Sequence, residues 1–408
     1  MDINIQKSKL QNQQTIQITG SKSESNRLLL LQALYPQISI KNISNSDDSV
    51  LMQKALTSTD QLIDIHHAGT AMRFLTAYFS IQKGREVTIT GSKRMKERPI
   101  KILVDALKTL GADITYLEND GFPPLKIVGN TLNKKEVALD ANVSSQYISA
   151  LLLIASKLEN GLELTLKGKI TSVPYINMTL SLLNEIDVKT SFIDNIISVK
   201  PQTSEIKPCT LTVESDWSSA SYFYSVIALS DVGKELTIAS YKEKSLQGDS
   251  VLATIYKKFG VTTTFLDDAI TLRKSSSVEA KTIIELDLSN APDIAQTIAV
   301  TAFGLGLECH MIGLHTLKIK ETDRLVALKT ELEKLGAQVE ITENALHLKA
   351  SNKITTDVSI ATYNDHRMAM AFAPLGLKTT LAIKNAEVVS KSYPQFWEDF
   401  KTIGFSIT

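Results

Sequence analysis

Cysteine is nearly absent: the 408 residues contain two, Cys209 and Cys309, far apart in the chain. That excludes a disulfide framework or a cysteine-based metal site and suits a reducing, cytoplasmic setting. Net charge is absent as well, with 44 Lys plus Arg against 44 Asp plus Glu. A chain without excess positive charge is not a general nucleic-acid or membrane-surface binder, so any basic site must be local. Long apolar runs are missing: stretches such as Ile148 to Ala155 fall far short of a membrane span. Met1-Asp2-Ile3-Asn4-Ile5 has neither a basic nor an apolar leader pattern, so no signal peptide is expected. No His, Cys, Asp or Glu grouping has metal-ligand spacing, and there is no GxSxG, P-loop or dinucleotide fingerprint. What is present, 43% hydrophobic and 22% charged residues, is the composition of a globular protein too long for one ordinary core.

The chain repeats itself. A short strand pattern closing in Gly, Asn or Ser ends at residues 42, 91, 168, 240, 313 and 385, giving intervals of 49, 77, 72, 73 and 72. The first interval is short by about one hairpin. Each strand follows an apolar helix pattern: Leu28–Tyr35, Thr70–Ile81, Ser145–Leu158, Ser218–Ser230, Ile294–Leu305 and Arg367–Leu377. These helices are hydrophobic nearly all round and are therefore expected to be buried. In four copies an amphipathic helix follows, beginning near residues 103, 180, 252 and 328; helical period then gives way to alternation, usually at a capping glycine. Six such units predict an α/β fold of α+β repeats in two similar domains, each of three helix-and-sheet repeats. The expected domains are 20–213, whose first copy lacks its hairpin, and 1–19 plus 214–408.

The informative side chains gather where the chain enters the buried helices: Gly20 to Arg27, His67 to Thr70, Ser144 to Gln146, Asp216 to Ser219, Ala291 to Asp293 and Asn364 to Arg367. Ser, Asp and Asn there serve as ordinary N-caps. Capping does not require Lys22, Arg27 or Arg367, however, because cations oppose the positive end of the helix dipole. A bound anion accounts for them better. Gly91 to Pro99, Lys320 to Arg324 and Lys391 to Pro394 follow strand copies in equivalent places and add further cations. Lys318 to Arg324 is read as the charged first turn of the helix that continues through Leu335, with its ion pairs crowded at one helix end. His310 and His347 fall in strand patterns and Trp217 and Trp397 in apolar helices, where packing is their expected role.

Gly20-Ser21-Lys22-Ser23 with Asn26-Arg27, Ala68-Gly69-Thr70-Ala71-Met72-Arg73, Arg94 to Pro99, Lys320-Glu321-Thr322-Asp323-Arg324 and Asn364 to Ala369 together resemble the enolpyruvylshikimate-phosphate synthases. The motifs run in family order from residue 20 to about 394, so the resemblance covers essentially the whole chain. It implies an inverted α/β barrel-like architecture with the active site in the interdomain cleft. It also implies transfer of the enolpyruvyl group of phosphoenolpyruvate to the 5-hydroxyl of shikimate 3-phosphate, with release of phosphate through a tetrahedral intermediate. No metal or organic cofactor would take part, and nucleic acid or membrane would not be a partner; the expected form is a monomer, sensitive to glyphosate.

Carried over by position, Lys22, Gly69, Arg98, Gln146, Arg324, Arg367 and Lys391 would hold phosphoenolpyruvate. Lys22, Ser23, Arg27, Ser144, Ser145, Gln146, Ser172, Tyr175, Asp293 and Lys320 would hold shikimate 3-phosphate. Asp293 would take the proton of the attacking hydroxyl, and Glu321 with Lys22 would deliver and later remove a proton at the methylene carbon. Four features depart from the family pattern: His67 in place of Asn, Phe74 in place of Pro, Thr316 in place of Asn, and the missing first hairpin. Two relatives of the same fold stay open as alternatives: a UDP-N-acetylglucosamine enolpyruvyl transferase, although its loop cysteine has no counterpart near Arg94 to Pro99, and a non-catalytic anion-binding protein. A 3'-phosphate RNA cyclase would need a nucleotide-bound His and a more basic surface.

Overall fold

The computed structural model describes residues 1–140, 144–168, 170 and 173–408. The chain divides into two compact units, Gly20–Val213 and Met1–Thr19 with Glu214–Thr408. Both are mixed α/β, and none of the six sheets formed by the described residues closes into a barrel.

In the Gly20–Val213 unit the buried helices are Lys22–Leu34, Gly69–Ser80 and Ser145–Ala155. All residues of Gly69–Ser80 are buried; its polar stripe is satisfied inside, with Arg73 Nη2 donating to Pro99 O and the hydroxyls of Thr76 and Ser80 to carbonyls one turn back. Two of the following strands sit inside four-stranded sheets of one pattern. Glu86–Thr90 pairs parallel with Leu62–Asp64 and antiparallel with Leu125–Val128. Leu162–Lys167 pairs parallel with Glu136–Asp140 and antiparallel with Ile196–Val199. Among the described residues the strand of the first copy, Ile38–Lys41, has only the parallel partner Cys209–Thr212. The segment after it holds one helix, Asp47–Thr57, where the other two copies of this unit carry a helix and a hairpin.

The other unit repeats the pattern around Trp217–Leu229, Ala295–Gly304 and His366–Phe372. Here the first nineteen residues supply two missing parts. Gln14–Gln17 takes the parallel place beside Glu235–Ala239, and Ile3–Ile5 lies antiparallel to Leu381–Ile383, where a hairpin strand would otherwise pair.

The switch from helix to hairpin uses a left-handed residue. Gly111 ends the Lys101–Leu110 helix at φ 112°, a conformation costly for residues with a Cβ. The equivalent turn after Val173–Glu185 has no glycine, and Asp187 adopts φ 62° instead. Two expectations are corrected. The stretch from residue 252 is not a continuous helix but a single α-turn, Leu252–Ile255, flanked by 3-10 turns. Tight winding there buries Tyr256 and Phe259 together and brings the Tyr256 hydroxyl within 2.9 Å of Thr301 Oγ1. Lys318 to Arg324 is not one helical turn either: a 3-10 turn ends at Ile319, and the α-helix begins only at Arg324. The reason is Asp323, whose Oδ1 accepts from the N–H groups of Leu325 (3.1 Å) and Val326 (3.2 Å) and so fixes the helix start at the next residue.

Candidate active site

In the Gly20–Val213 unit the three buried helices enter from one end. Hydrogen bonds join them at equal depth: Gln146 Nε2 donates to Thr70 Oγ1 (3.3 Å), and Arg27 Nη2 to Ser149 Oγ (2.8 Å). Lys22 and Ser23 open the first helix behind the N-cap Ser21, and both are partly exposed. Ser144 caps the third helix through Gln146 N–H; Ser145 and Gln146 are half-buried. Gly69 is the first residue of the second helix, and the Arg98 guanidinium lies directly over it. A Cβ built on Gly69 would sit 2.5 Å from Arg98 Nη1 and 2.9 Å from Cζ. Because the obstacle is the tip of a flexible side chain, Gly69→Ala is expected to leave the melting temperature unchanged. It should displace Arg98 and weaken binding of a phosphate-bearing anion at this helix entrance about tenfold or more, a change that titration of the two proteins with such an anion would read directly.

Arg98 is held by the loop that bears it. The Pro99 carbonyl accepts from Arg73 Nη2 (3.0 Å) and from the Tyr147 hydroxyl (2.6 Å), tying that loop to the second and third helices. Burial, with Arg98 nearby, lowers the Arg73 pKa to about 10, still far above neutrality. Arg27 is wholly interior: it donates to Ser23 O, Thr179 Oγ1, Ser149 Oγ and Tyr175 O, and its guanidinium stands 5.4 Å from the Phe74 ring centroid. Those bonds give it a packing duty in addition to any ligand. Tyr175 is half-buried beside it, and Ser172 lies outside the described residues.

The second cluster occupies the helix entrances of the other unit. Asp293 sits in the 3-10 turn that leads into Ala295–Gly304. Its carboxylate meets Arg324 Nη1 at 2.9 Å, Lys320 Nζ at 3.3 Å and Arg367 Nη2 at 3.3 Å. Burial alone would raise its pKa, but Arg367, Lys320 and Arg324 together hold it well below the usual carboxylate range. Arg324, 2% exposed, also binds Glu321 at 2.7 Å and, through Nε, Asp365 at 2.6 Å. Burial works against the charged guanidinium, yet Asp365, Glu321 and Asp293 keep it protonated well above its ordinary range.

Arg367 reaches across two further entrances, donating to the Asp293 carbonyl (3.1 Å) and to Ser218 Oγ (3.3 Å). Ser218 in turn donates to Asp249, whose pKa is pushed up to about 6 by burial and by Asp293. Lys391 Nζ donates to the Asn364 carbonyl (2.6 Å), beside the same entrance. The candidates Asp293, Lys320, Glu321, Arg324, Arg367 and Lys391 thus gather on one loop system. Ser218 and Asp365, named above as helix-entrance residues but given no role in the site, belong to that network, and so does Asp249, which carries no signal in the sequence.

A family model for EPSP synthase (3-phosphoshikimate 1-carboxyvinyltransferase) matches residues 51–400. The chain belongs to the EPSP synthase family.

A relative from Bacteroides fragilis, named 3-phosphoshikimate 1-carboxyvinyltransferase, is 46% identical over 398 residues and covers 96% of both chains. One of the same name from Haemophilus influenzae is 37% identical over 426 aligned positions, covering 95% of this chain and 96% of its own. The solved EPSP synthase structure from Acinetobacter baumannii superposes with a TM-score of 0.81 at 20% identity, over 100% of this chain and 99% of that one, and shows the shared fold. Within the EPSP synthase frame, the departing residue His67 places Nε2 3.6 Å from Asp47 Oδ2. Phe74 is fully buried against Arg27. The Thr316 hydroxyl is buried and has no partner among the described residues. Among the described residues no helix is long and apolar enough to cross a membrane, and no group of three or more His, Cys, Asp or Glu is placed to hold a metal ion.

Proposed function

We propose that the protein transfers the enolpyruvyl group of phosphoenolpyruvate to the 5-hydroxyl of shikimate 3-phosphate, and that the residues gathered at the helix entrances do the work. The observation that carries the reading is the convergence of Lys320, Arg324 and Arg367 on Asp293. Those cations have a competitor's claim on them: an incoming phosphate or carboxylate is drawn to the groups that now neutralise Asp293. As they turn to the ligand, the carboxylate loses its stabilising partners and its pKa rises. Asp293 is therefore a poor base until the anionic substrate arrives, and a better one afterwards.

The chemistry is addition followed by elimination. The 5-hydroxyl oxygen bonds to the central carbon of phosphoenolpyruvate while its proton passes to Asp293, and the methylene carbon receives a proton from Glu321 or Lys22. In the second half the bond from that central carbon to the phosphate oxygen breaks and inorganic phosphate leaves, a proton returns from the methyl carbon to Glu321 or Lys22 to restore the double bond, and the proton held by Asp293 passes to the departing phosphate or to solvent. Phosphoenolpyruvate is assigned to Lys22, Gly69, Arg98, Gln146, Arg324, Arg367 and Lys391. Shikimate 3-phosphate is assigned to Lys22, Ser23, Arg27, Ser144, Ser145, Gln146, Ser172, Tyr175, Asp293 and Lys320. Paired cations suit ligands of such high negative charge.

Purified protein given both substrates should release inorganic phosphate and form the enolpyruvyl ether. Release without the shikimate, or equal turnover with UDP-N-acetylglucosamine as acceptor, would overturn the assignment.

A further inference from the structure

Glu331 is completely buried, lies outside the charged entrance and has no part in the reaction as written above. It stands seven residues after Arg324 on the Arg324–Lys334 helix, two turns along and on the same face. Both residues grip the same segment of chain. Glu331 Oε1 accepts from the Tyr363 hydroxyl (2.6 Å), and Oε2 accepts from the Ala361 N–H (3.1 Å). Arg324 Nε holds Asp365 Oδ2 at 2.6 Å. The five residues from Ala361 to Asp365 are thus clamped at both ends by a single helix face. Lys334 Nζ, at 2.7 and 2.8 Å, supplies the counter-charge that lets the carboxylate stay buried.

The clamped segment has an unusual path. Tyr363 and Asn364 are both left-handed, at φ 53° and 55°, a conformation two successive residues with side chains seldom adopt. What the path achieves is visible in the next contacts. It aims the Asn364 carbonyl at Lys391 Nζ (2.6 Å) and sets Asp365 as the N-cap that receives Arg367 N–H (2.9 Å). Arg367 and Lys391 therefore take their places from a turn that would relax without an outside hold.

We propose that Glu331 is a positioning residue for the reaction: its carboxylate fixes the Ala361–Asp365 turn, and through that turn the placement of Arg367 and Lys391. This role rests on the proposed function only in taking Arg367 and Lys391 as contacts of phosphoenolpyruvate. An amide at position 331 has one acceptor oxygen and turns two donors toward Ala361 N–H and Lys334, so E331Q loosens the turn while keeping the shape of the side chain.

The test is steady-state kinetics of E331Q, Y363F and the double variant beside the unaltered protein, with melting curves for each. In E331Q the KM for phosphoenolpyruvate should rise about tenfold while that for shikimate 3-phosphate stays within about twofold, a split that general destabilisation would not produce. Y363F should shift the same KM less, because it removes only the Oε1 contact, and the double variant, which loses the hold on both Ala361 and Tyr363, should be the worst of the three. A folded E331Q with an unmoved phosphoenolpyruvate KM overturns the role. Should E331Q fail to fold, Y363F decides, and an unmoved KM there overturns it equally. Absence of turnover in the unaltered protein instead overturns the proposed function.

Discussion

Arg324→Met is expected to destabilise the protein by about 3–5 kcal/mol and to abolish measurable turnover, the largest effect of any single change considered. The guanidinium is 2% exposed and serves three carboxylates, Asp293, Glu321 and Asp365, the last with no exposure at all. Methionine fills a similar volume but leaves Asp365 buried and unpaired, and removes one of the three cations that hold Asp293 ionised. The pH dependence has a definite sign. In the unaltered protein the depressed Asp293 pKa contributes stability that is full above the ordinary carboxylate range and is lost only as pH falls below that range toward the depressed folded value, so it changes little between pH 7 and 4. In the variant, orphaned carboxylates are most costly when charged, so acidification relieves them. The stability gap measured by chemical denaturation should therefore be widest near pH 7 and narrow toward pH 4. A gap that stayed constant over this interval would show that packing, and not charge, is the issue.

Glu321→Gln should separate chemistry from architecture. Glutamine keeps an oxygen that can accept from Arg324 Nη2, now 2.7 Å from the carboxylate, so the fold and the Arg324 network should persist. It cannot exchange a proton with the methylene carbon. Turnover should fall by roughly 10²–10⁴-fold, with little change in either KM, as for loss of a group that acts in the transition state. Lys22→Met should also fall by orders of magnitude, with a rise in KM because Lys22 is assigned to both ligands. A near-normal rate in either variant would remove that residue from the proton transfers.

Several parts of this molecule can be read from its residues. The largely apolar stretch Thr70–Ser80 is buried throughout, and the change from helical period to alternation at Gly111, Gly260 and Gly336 marks three of the hairpin entries, each glycine being left-handed in the structure. His310 and His347 pair across adjacent strands with Nδ1 atoms 3.0 Å apart, and Trp217 is sealed in the core with its indole N–H on Glu214. Other parts leave little trace. The start of the helix at Arg324 depends on whether Asp323 or an earlier residue caps it, and local charge pattern does not rank them. Asp187 takes a left-handed turn without the residue that usually announces one. Glu331 looks like any polar residue on an amphipathic helix, because its partners Ala361 and Tyr363 are thirty positions away and come close only through the sheet connection.

The pairing of Ile3–Ile5 with Leu381–Ile383 has a consequence for how the polypeptide is made. At a synthesis rate of about 5–20 residues per second, the opening strand waits roughly 20–80 seconds for its partner to leave the ribosome. Meanwhile the complete Gly20–Val213 unit has already emerged. That unit has what it needs to assemble early, whereas the other must keep an apolar, hydrogen-bond-hungry strand unsatisfied until residues 381–383 have been made. Nascent chains arrested before residue 381 should accordingly leave that strand exposed to chaperones and proteases.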